Sequence, residues 1–347
     1  MTNTPPNARI LIVRLSAIGD VLHGLPVLNA LRDAVPKAFL AWVVEGRAAQ
    51  LLRGHRALDE LIELPRGWLK SPRAVLDLRR KLHLMGFDVA IDLQGLSKSA
   101  IAARLAGAPR RIGFDGVDGR EISRWLNNER VAATRTHVID RNLELLGRLG
   151  ISHPAVRFDL TDTAATASAV DKMLESLRPR EDFAVINPGA GWNSKLWPAP
   201  RYGAVARRLG QSRGLKSLVV WAGDQERAWA EEIVAGSGGA AALAPSTSLP
   251  ELAALVRRAV LFVGSDTGPL HLAAAVGTPC VGMFGPSPGE RNGPYGSMHI
   301  TLQKVRLPGS SKERRTASGD AMAAIAVDDV CAACDRILDR LALGLTG

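Results

Sequence analysis

Apolar runs and helical periods alternate along this chain. The opening ARILIVRLSAIGDVLHGLPVLNALRDAVP begins with an apolar run over residues 10–14, passes a short loop containing Gly19, and continues with apolar residues at helical spacing. That reads as strand, loop and helix. FLAWVVE predicts a second strand and LDELIELP a short third one, and MGFDVAIDLQG ends a further buried strand in a loop with Asp92 and Gln94, ahead of a helix over SKSAIAARLAG. PRRIGF predicts a short strand and THVIDRNLELLGRLGI a helix. Strands alternating with helices imply right-handed crossovers and a parallel sheet.

The pattern lapses over residues 151–181, where ISHPAVRFDLTDTAATASA leads into a charged helix ending in RPRED, and then restarts. FAVINPGAG, LKSLVVWAGD, VLFVGSD and PCVGMFGP read as strands running into loops, and APRYGAVARRLGQ, residues 226–236, LPELAALVRRA and PLHLAAAVG read as helices. The expected fold class is α/β: two doubly wound Rossmann-like domains, residues 1–165 and 180–325, with a ligand cleft between them. GSSKERRTASGD (309–320) reads as a polar, basic, mobile loop, and a final helix over 327–345 has no strand after it and is placed across the domain joint.

Composition adds little to the fold but narrows the partners. The 347 residues are 46% hydrophobic and 22% charged, enough for two cores. No apolar run approaches the ~20 residues that span a bilayer, and MTNTPPNA lacks the basic and apolar regions of a signal peptide. The expectation is a cytoplasmic protein. Three cysteines fit a reducing compartment; Cys331 and Cys334 form a CxxC, but in a helix-like stretch where packing is the simpler reading than redox or metal chemistry.

The formal charge of +10 favours anionic partners. RGWLKSPRAVLDLRRK (66–81) carries six basic residues and one acid, and Arg110, Arg111, Arg120, Arg124 and Arg130 follow, so a basic rim is expected on the first half. Only 5% of residues are aromatic, and neither interleaved stacking rings nor a zinc-finger or RNP signature accompanies the basic stretches. No nucleic-acid partner is expected; a phosphorylated small molecule or an anionic lipid head group fits the charge better.

The loops carry the chemistry. RLSAIGD stands where a dinucleotide fold would place GxGxxG, and no GxxxxGK[ST] occurs. Asp20 is either a helix-start carboxylate or a base. His23, three residues on, either packs or shares its face. The seven histidines are scattered, with no HExxH and no D-x-D, so no metal site is expected. In NPGAGWNSKLWP the glycines allow backbone N–H groups to approach an anion and Lys195 can add a point charge; the alternative is a plain turn with a surface lysine. In GSDTGPLH, Asp266 and Thr267 can accept and donate at a strand end, Gly268 permits close approach, and the helix start offers N–H groups to a diphosphate. His271 either reaches the same anion or packs.

RLSAIGDVLHGLP, DLQGLSKSA, NPGAGWNSKLWP and GSDTGPLHLAAAVGTPCVGMFGP, in this order, resemble the bacterial ADP-heptose:lipopolysaccharide heptosyltransferases of glycosyltransferase family 9, over about residues 9–340 and most closely heptosyltransferase I. The resemblance implies a GT-B fold with acceptor on the first domain, nucleotide sugar on the second, and the last helix returning to the first. It implies inverting, metal-independent and cofactor-free transfer of L-glycero-D-manno-heptose from ADP-heptose to a Kdo hydroxyl of Kdo-lipid A. By position, Asp20 becomes the general base; Asp266, Thr267 and Gly268 bind heptose and diphosphate, with His271 lining the pocket. Lys195 would stabilise the leaving ADP, and Glu226 would hold the ribose. Lys70, Arg73, Lys98, Arg120, His137 and Arg141 are offered as contacts to the anionic acceptor, and the charge excess would hold the enzyme peripherally at the inner leaflet of the cytoplasmic membrane. Two other readings stand beside this one: a different nucleotide-sugar transferase of the same fold with a cell-envelope acceptor, and a non-catalytic nucleotide-binding protein at the membrane surface.

Overall fold

The computed structural model describes residues 4–177 and 182–344, and the chain divides into two compact units between Thr161 and Asp162. In the first unit the strands β1 (Arg9–Val13), β2 (Phe39–Glu45), β3 (Glu60–Leu64), β4 (Val89–Asp92), β5 (Arg110–Phe114) and β6 (Glu129–Val131) form one sheet in the order β3-β2-β1-β4-β5-β6. Every pairing is parallel, and Ile12 of β1 stands between Trp42 of β2 and Ile91 of β4. Ile10 to Val13 are fully buried, as the unbroken apolar run requires of a strand covered on both faces. The helices are α1 (Ile18–Leu22), α2 (Leu25–Ala34), α3 (Pro72–Met85), α4 (Ser97–Leu105), α5 (Ser123–Leu126) and α6 (Val138–Glu144).

The opening segment departs from the single helix that its periodicity suggests. It breaks at His23–Gly24 into α1 and α2. Trp42 packs over Gly24 so closely that a β-carbon there would stand 2.7 Å from the indole Cη2. Pro26, without an N–H, then suits the first turn of α2.

The second unit repeats the plan. Its elements are α7 (Ala164–Leu177), β7 (Phe183–Asn187), α8 (Ala199–Arg213), β8 (Lys216–Val219), α9 (Gly223–Gly236), β9 (Ala241–Leu243), α10 (Leu249–Arg257), β10 (Leu261–Ser265), α11 (Gly268–Ala275), β11 (Cys280–Met283), α12 (Gly289–Asn292), β12 (Ile300–Leu302), α13 (Ser311–Thr316), α14 (Asp320–Ala323) and α15 (Val327–Ala342). The parallel order β12-β11-β10-β7-β8-β9 is the same topology read from the other side. Each sheet therefore winds outward in both directions from its first strand. The carboxyl ends of β1 and β4, and of β7 and β10, flank a topological switch point, where such sheets hold ligands.

Two expectations change here, and the helix between the two predicted domains finds its place. The helix before the second domain, α7, belongs to the second unit: it packs on α10, and Asp162 and Asp171 pair with Arg257 and Arg258. The RPRE end expected for that helix, 178–181, lies outside the described residues. The final helix, expected to return to the first domain, instead packs in the second unit on α8, β10, β11 and β12. Its stripe of Val330, Cys331, Cys334 and Ile337 joins the core around Trp197 and Tyr202, so burial of that stripe decides its place. The stretch 309–320, expected as a mobile loop, holds α13 and the start of α14, with Ser310 and Glu313 closing a reciprocal cap on α13. Among the described residues no helix is long and apolar enough to cross a membrane.

Candidate functional site

In the second unit the predicted donor residues gather at the carboxyl edge of β7, β8 and β10. The chain leaves β10 at Ser265, whose hydroxyl lies 3.1 Å from the buried Tyr202 hydroxyl, and Asp266 follows almost fully buried. Both of its oxygens are taken. Lys195 Nζ donates to Oδ2 at 2.6 Å, and His271 Nε2 lies 3.1 Å from Oδ1. Burial opposes ionisation of Asp266, but the His271 hydrogen bond and the Lys195 charge outweigh it and hold the carboxyl well below the usual carboxylate range. Because an ionised carboxylate can only accept, the His271 proton sits on Nε2. His271, which sequence left between ligand contact and packing, is thus a buried partner of Asp266.

Lys195 ends the short 3-10 turn Asn193–Lys195 and lies 4.3 Å from the Trp192 ring centroid. The turn is fastened from behind. Ser194 is fully buried and donates to the Arg314 carbonyl of α13 at 2.9 Å, and Trp197 Nε1 donates to the Ile325 carbonyl at 3.0 Å. The two tryptophans of this loop thus serve different ends: Trp192 covers the ammonium, Trp197 anchors the chain. A cation held rigidly beside a helix start can meet an anion with little reorganisation.

Thr267 is the N-cap residue of α11 but makes no side-chain cap bond, and Asn187 Nδ2 reaches its hydroxyl at 3.4 Å. The same amide donates to the Gly189 carbonyl at 3.2 Å. Gly189 in turn lies against Glu226: a β-carbon there would stand 2.3 Å from the carboxyl carbon. Glu226 Oε2 accepts from the Ala222 N–H at 2.9 Å, so the carboxylate is drawn back over the start of α9 onto the NPGAG loop. Lys195, Glu226, Asp266, Thr267 and Gly268 therefore lie on loops linked by direct contacts at one edge of the sheet.

In the first unit the analogous edge carries Asp20. Its Oδ2 accepts from the Ala17 N–H at 3.0 Å, as a helix-start carboxylate does, and its Oδ1 lies 2.5 Å from Arg14 Nη2. The Asp20 side chain is 43% exposed and that of Arg14 only 8%. One end of the ion pair is thus buried while the carboxylate faces out. Arg14 also donates to the Leu93 carbonyl after β4, and its own carbonyl accepts from Trp42 Nε1 at 3.1 Å. Sequence reasoning passed over Arg14; the signal was an arginine set directly against a fully buried strand.

Gln94 completes this edge by accepting from the Leu15 N–H at 2.9 Å. Its loop is shaped by Asp92, which is fully buried; burial raises its pKa, against hydrogen bonds from Ser99, Asn127, Gln94 N–H and Gly95 N–H. Asp92 is therefore an internal brace of the DLQG turn. Of the expected acceptor contacts, Lys98 donates to the buried Glu45 at 2.5 Å, and the Glu45 N–H bonds the Leu15 carbonyl, so this cation borders the Asp20 loop. His137 caps α6 and lies edge-on to His23, ring centroids 6.1 Å apart. Arg141 is half-buried and pairs with Asp118. Lys70, Arg73 and Arg120 are exposed; Arg73 faces Asp77 at 3.9 Å, and Arg120 is tied by its N–H to the Gly95 carbonyl.

This chain matches known proteins over most of its length. Residues 75–321 match the profile of glycosyltransferase family 9 (heptosyltransferase). Lipopolysaccharide heptosyltransferase 1 of Pseudomonas aeruginosa is 30% identical over 303 residues, 85% of this chain and 83% of that one. Lipopolysaccharide heptosyltransferase 1 of Escherichia coli K12 is 29% identical, over 86% of this chain and 94% of that one. Among solved structures, E. coli heptosyltransferase WaaC with ADP-2-deoxy-2-fluoro heptose superposes with a TM-score of 0.75 at 27% identity, covering 94% of this chain and 99% of that one. A family 9 glycosyl transferase from Veillonella parvula shares the fold, with a TM-score of 0.82 at 22% identity and coverage of 95% and 97%. Two doubly wound units, the loops that place Asp20, Lys195 and Asp266, and a family match over more than half of its residues lead to one assignment: this chain belongs to glycosyltransferase family 9, the heptosyltransferases.

Proposed function

We propose that the protein transfers L-glycero-D-manno-heptose from ADP-heptose to a Kdo hydroxyl of Kdo-lipid A, in lipopolysaccharide core synthesis, with inversion at the anomeric carbon. The observation that carries this reading is the buried Lys195–Asp266–His271 cluster at the start of α11, in a chain related to a heptosyltransferase solved with an ADP-sugar. A diphosphate leaving group gains negative charge as its bond to the sugar breaks. Lys195, held by Asp266, and the first-turn N–H groups of α11 are fixed positive ends for that charge, so the reaction calls for no metal and no cofactor.

Glu226 supplies acceptor oxygens for the ribose hydroxyls, and Thr267 and Gly268 offer a hydroxyl and an open backbone to heptose and diphosphate. Asp20 takes the proton from the attacking Kdo hydroxyl while the new C–O bond forms and the bond to ADP breaks. Arg14 fixes the direction of that carboxylate. Lys98, Arg120, Lys70, Arg73, His137 and Arg141 provide the basic surroundings for an anionic acceptor, and the enzyme works at the cytoplasmic face of the inner membrane.

The test is a direct assay of ADP release and product mass with ADP-heptose and Kdo-lipid A, the new linkage being assigned by NMR. Acceptor-dependent ADP release with inverted configuration is expected. Stabilisation by UDP or GDP in preference to ADP, or a retained anomer, would overturn the reading.

A further inference from the structure

At the amino end of the second sheet, away from the donor edge, stand two cations that the proposed reaction does not use. Arg207 of α8 and Lys216 at the start of β8 border an open cavity of about 540 Å³, whose other walls include Gln211, Gly214 and the turn 237–240. Among the described residues no carboxylate and no aromatic side chain lines it, and no ion pair joins either cation. Arg213, at the end of the same helix, is by contrast neutralised by Asp335 and Asp339 of α15.

The turn that follows α9 has the shape of an anion cradle. Ser237 is right-handed (φ −80°, ψ −11°), and Gly238 and Gly239 are left-handed at φ +65° and +87°. Such alternation turns successive N–H groups toward one side, and those of Gly238 and Gly239 make no backbone hydrogen bond. A β-carbon on Gly239 would meet nothing within 4 Å, so the backbone conformation, not packing, calls for glycine there. Ser237 holds the turn still: it is fully buried, and its hydroxyl donates to the Val234 carbonyl at 2.7 Å and accepts from the Ala241 N–H at 3.0 Å. Arg207 reaches the turn by donating to the Gly236 carbonyl, with its Nε 3.6 Å from where a Gly238 β-carbon would stand. The carboxyl ends of α8 and α9 lie here too and carry roughly half a negative charge each; two full cations outweigh them by roughly one charge.

We propose that this cavity is a second binding site, for the phosphate ester of a small polyol such as a sugar phosphate. The phosphoryl oxygens accept from the Gly238 and Gly239 N–H groups and pair with Arg207 and Lys216, and Gln211 offers its amide to the hydroxyl groups. The volume is larger than a lone phosphate fills and lies in the range of small-molecule sites, roughly 300–1,000 Å³. A nucleotide fits less well, because nothing aromatic lines the cavity for a base to stack on. The site is separate from the donor edge: Glu226 is in the first turn of α9 and the cradle follows its last, and a helix of 14 residues is about 20 Å long. It lies wholly in the second unit and does not rest on the heptosyltransferase reading.

The experiment is isothermal titration of the full chain, saturated with ADP, with glucose 6-phosphate, and in parallel with inorganic phosphate, glucose and AMP. Binding of glucose 6-phosphate with ADP in place is expected, tighter than that of the other three. Arg207→Gln together with Lys216→Gln should weaken it about tenfold or more, while the thermal midpoint and the ADP-induced thermal shift stay as in the parent. Displacement of glucose 6-phosphate by ADP would move its binding to the donor edge and overturn the site. So would unchanged binding in the double variant, phosphate or AMP bound as tightly as glucose 6-phosphate, or no heat at millimolar ligand.

Discussion

Lys195 Nζ stands 2.6 Å from Asp266 Oδ2, with both side chains nearly withdrawn from water. A pair so buried contributes little net stability, because desolvation offsets most of the attraction. What the pair provides is position: a cation held still on the loop after β7 by a carboxylate on the loop after β10.

Replacing Lys195 with Met leaves Asp266 buried with His271 alone. We expect a loss of about 3 kcal/mol in stability and a fall in kcat of about 10²–10³. Adding Asp266→Leu should restore most of the stability, measured by urea unfolding, and none of the activity. A double variant that regains transfer would show that the charge at Lys195 is not needed.

Asp20→Asn should lower kcat by about 10²–10⁴ with the ADP-induced thermal shift intact, since the proposed role of Asp20 as base concerns the acceptor alone. Arg14→Gln should cost both stability and rate, because the guanidinium is buried between Asp20 and the Leu93 carbonyl. Normal kcat in Arg14→Gln would remove it from the positioning of Asp20.

Gly189→Ala places a methyl group on the Glu226 carboxyl. A side-chain end can swing away, so the melting temperature should hold while the KM for the nucleotide sugar rises several-fold, matching Glu226→Ala. If Glu226→Ala raises KM and Gly189→Ala does not, the close packing has no bearing on the donor.

His299 accepts from the Cys280 N–H through Nδ1 at 3.2 Å. Burial pushes its pKa down, from the usual 6.5 to about 4, against a smaller upward pull from a backbone hydrogen bond at Tyr295. Below pH 6.5 the unfolded chain therefore binds a proton that the folded chain refuses, so the stability due to this group is complete above pH 6.5 and is lost as the pH falls toward 4. His299→Gln keeps an acceptor without a titration. Urea midpoints measured between those pH values should fall less steeply for the variant than for the parent.

Cys280, Cys331 and Cys334 are free and buried, and burial pushes all three thiols above their ordinary range. An aromatic disulfide reagent should react slowly with the native protein and rapidly with all three thiols in urea. Fast reaction of Cys331 and Cys334 in the native protein would return the CxxC to redox chemistry.

The loops NPGAGWNSK and GSDTGPLH raised the expectation of an anion site because glycine, a helix start and a lysine at a strand end are local properties. The same holds for the strands: ILIV, FAVIN and LFVGS carry their burial in an unbroken apolar run. Chain breaks caused by distant contacts were not legible. Gly24 interrupts a periodic helix because Trp42, on the neighbouring strand, occupies the space of its missing side chain. The polar, basic character of 309–320 suggested mobility, and nothing local told of Ser194, more than a hundred residues earlier, whose hydroxyl needed a carbonyl from that stretch.

Sequence by itself thus determined the class of fold, the edges of the sheets where ligands belong, and the residue types available there. Tertiary structure decided what those residues do for one another. Asp266 spends both oxygens on Lys195 and His271, Arg14 lies buried behind Asp20, and α15 joins the second unit. Each of these depends on which strands become neighbours, and a carboxylate, a guanidinium or an apolar stripe takes its role from the partner that topology puts within 3 Å or within packing distance.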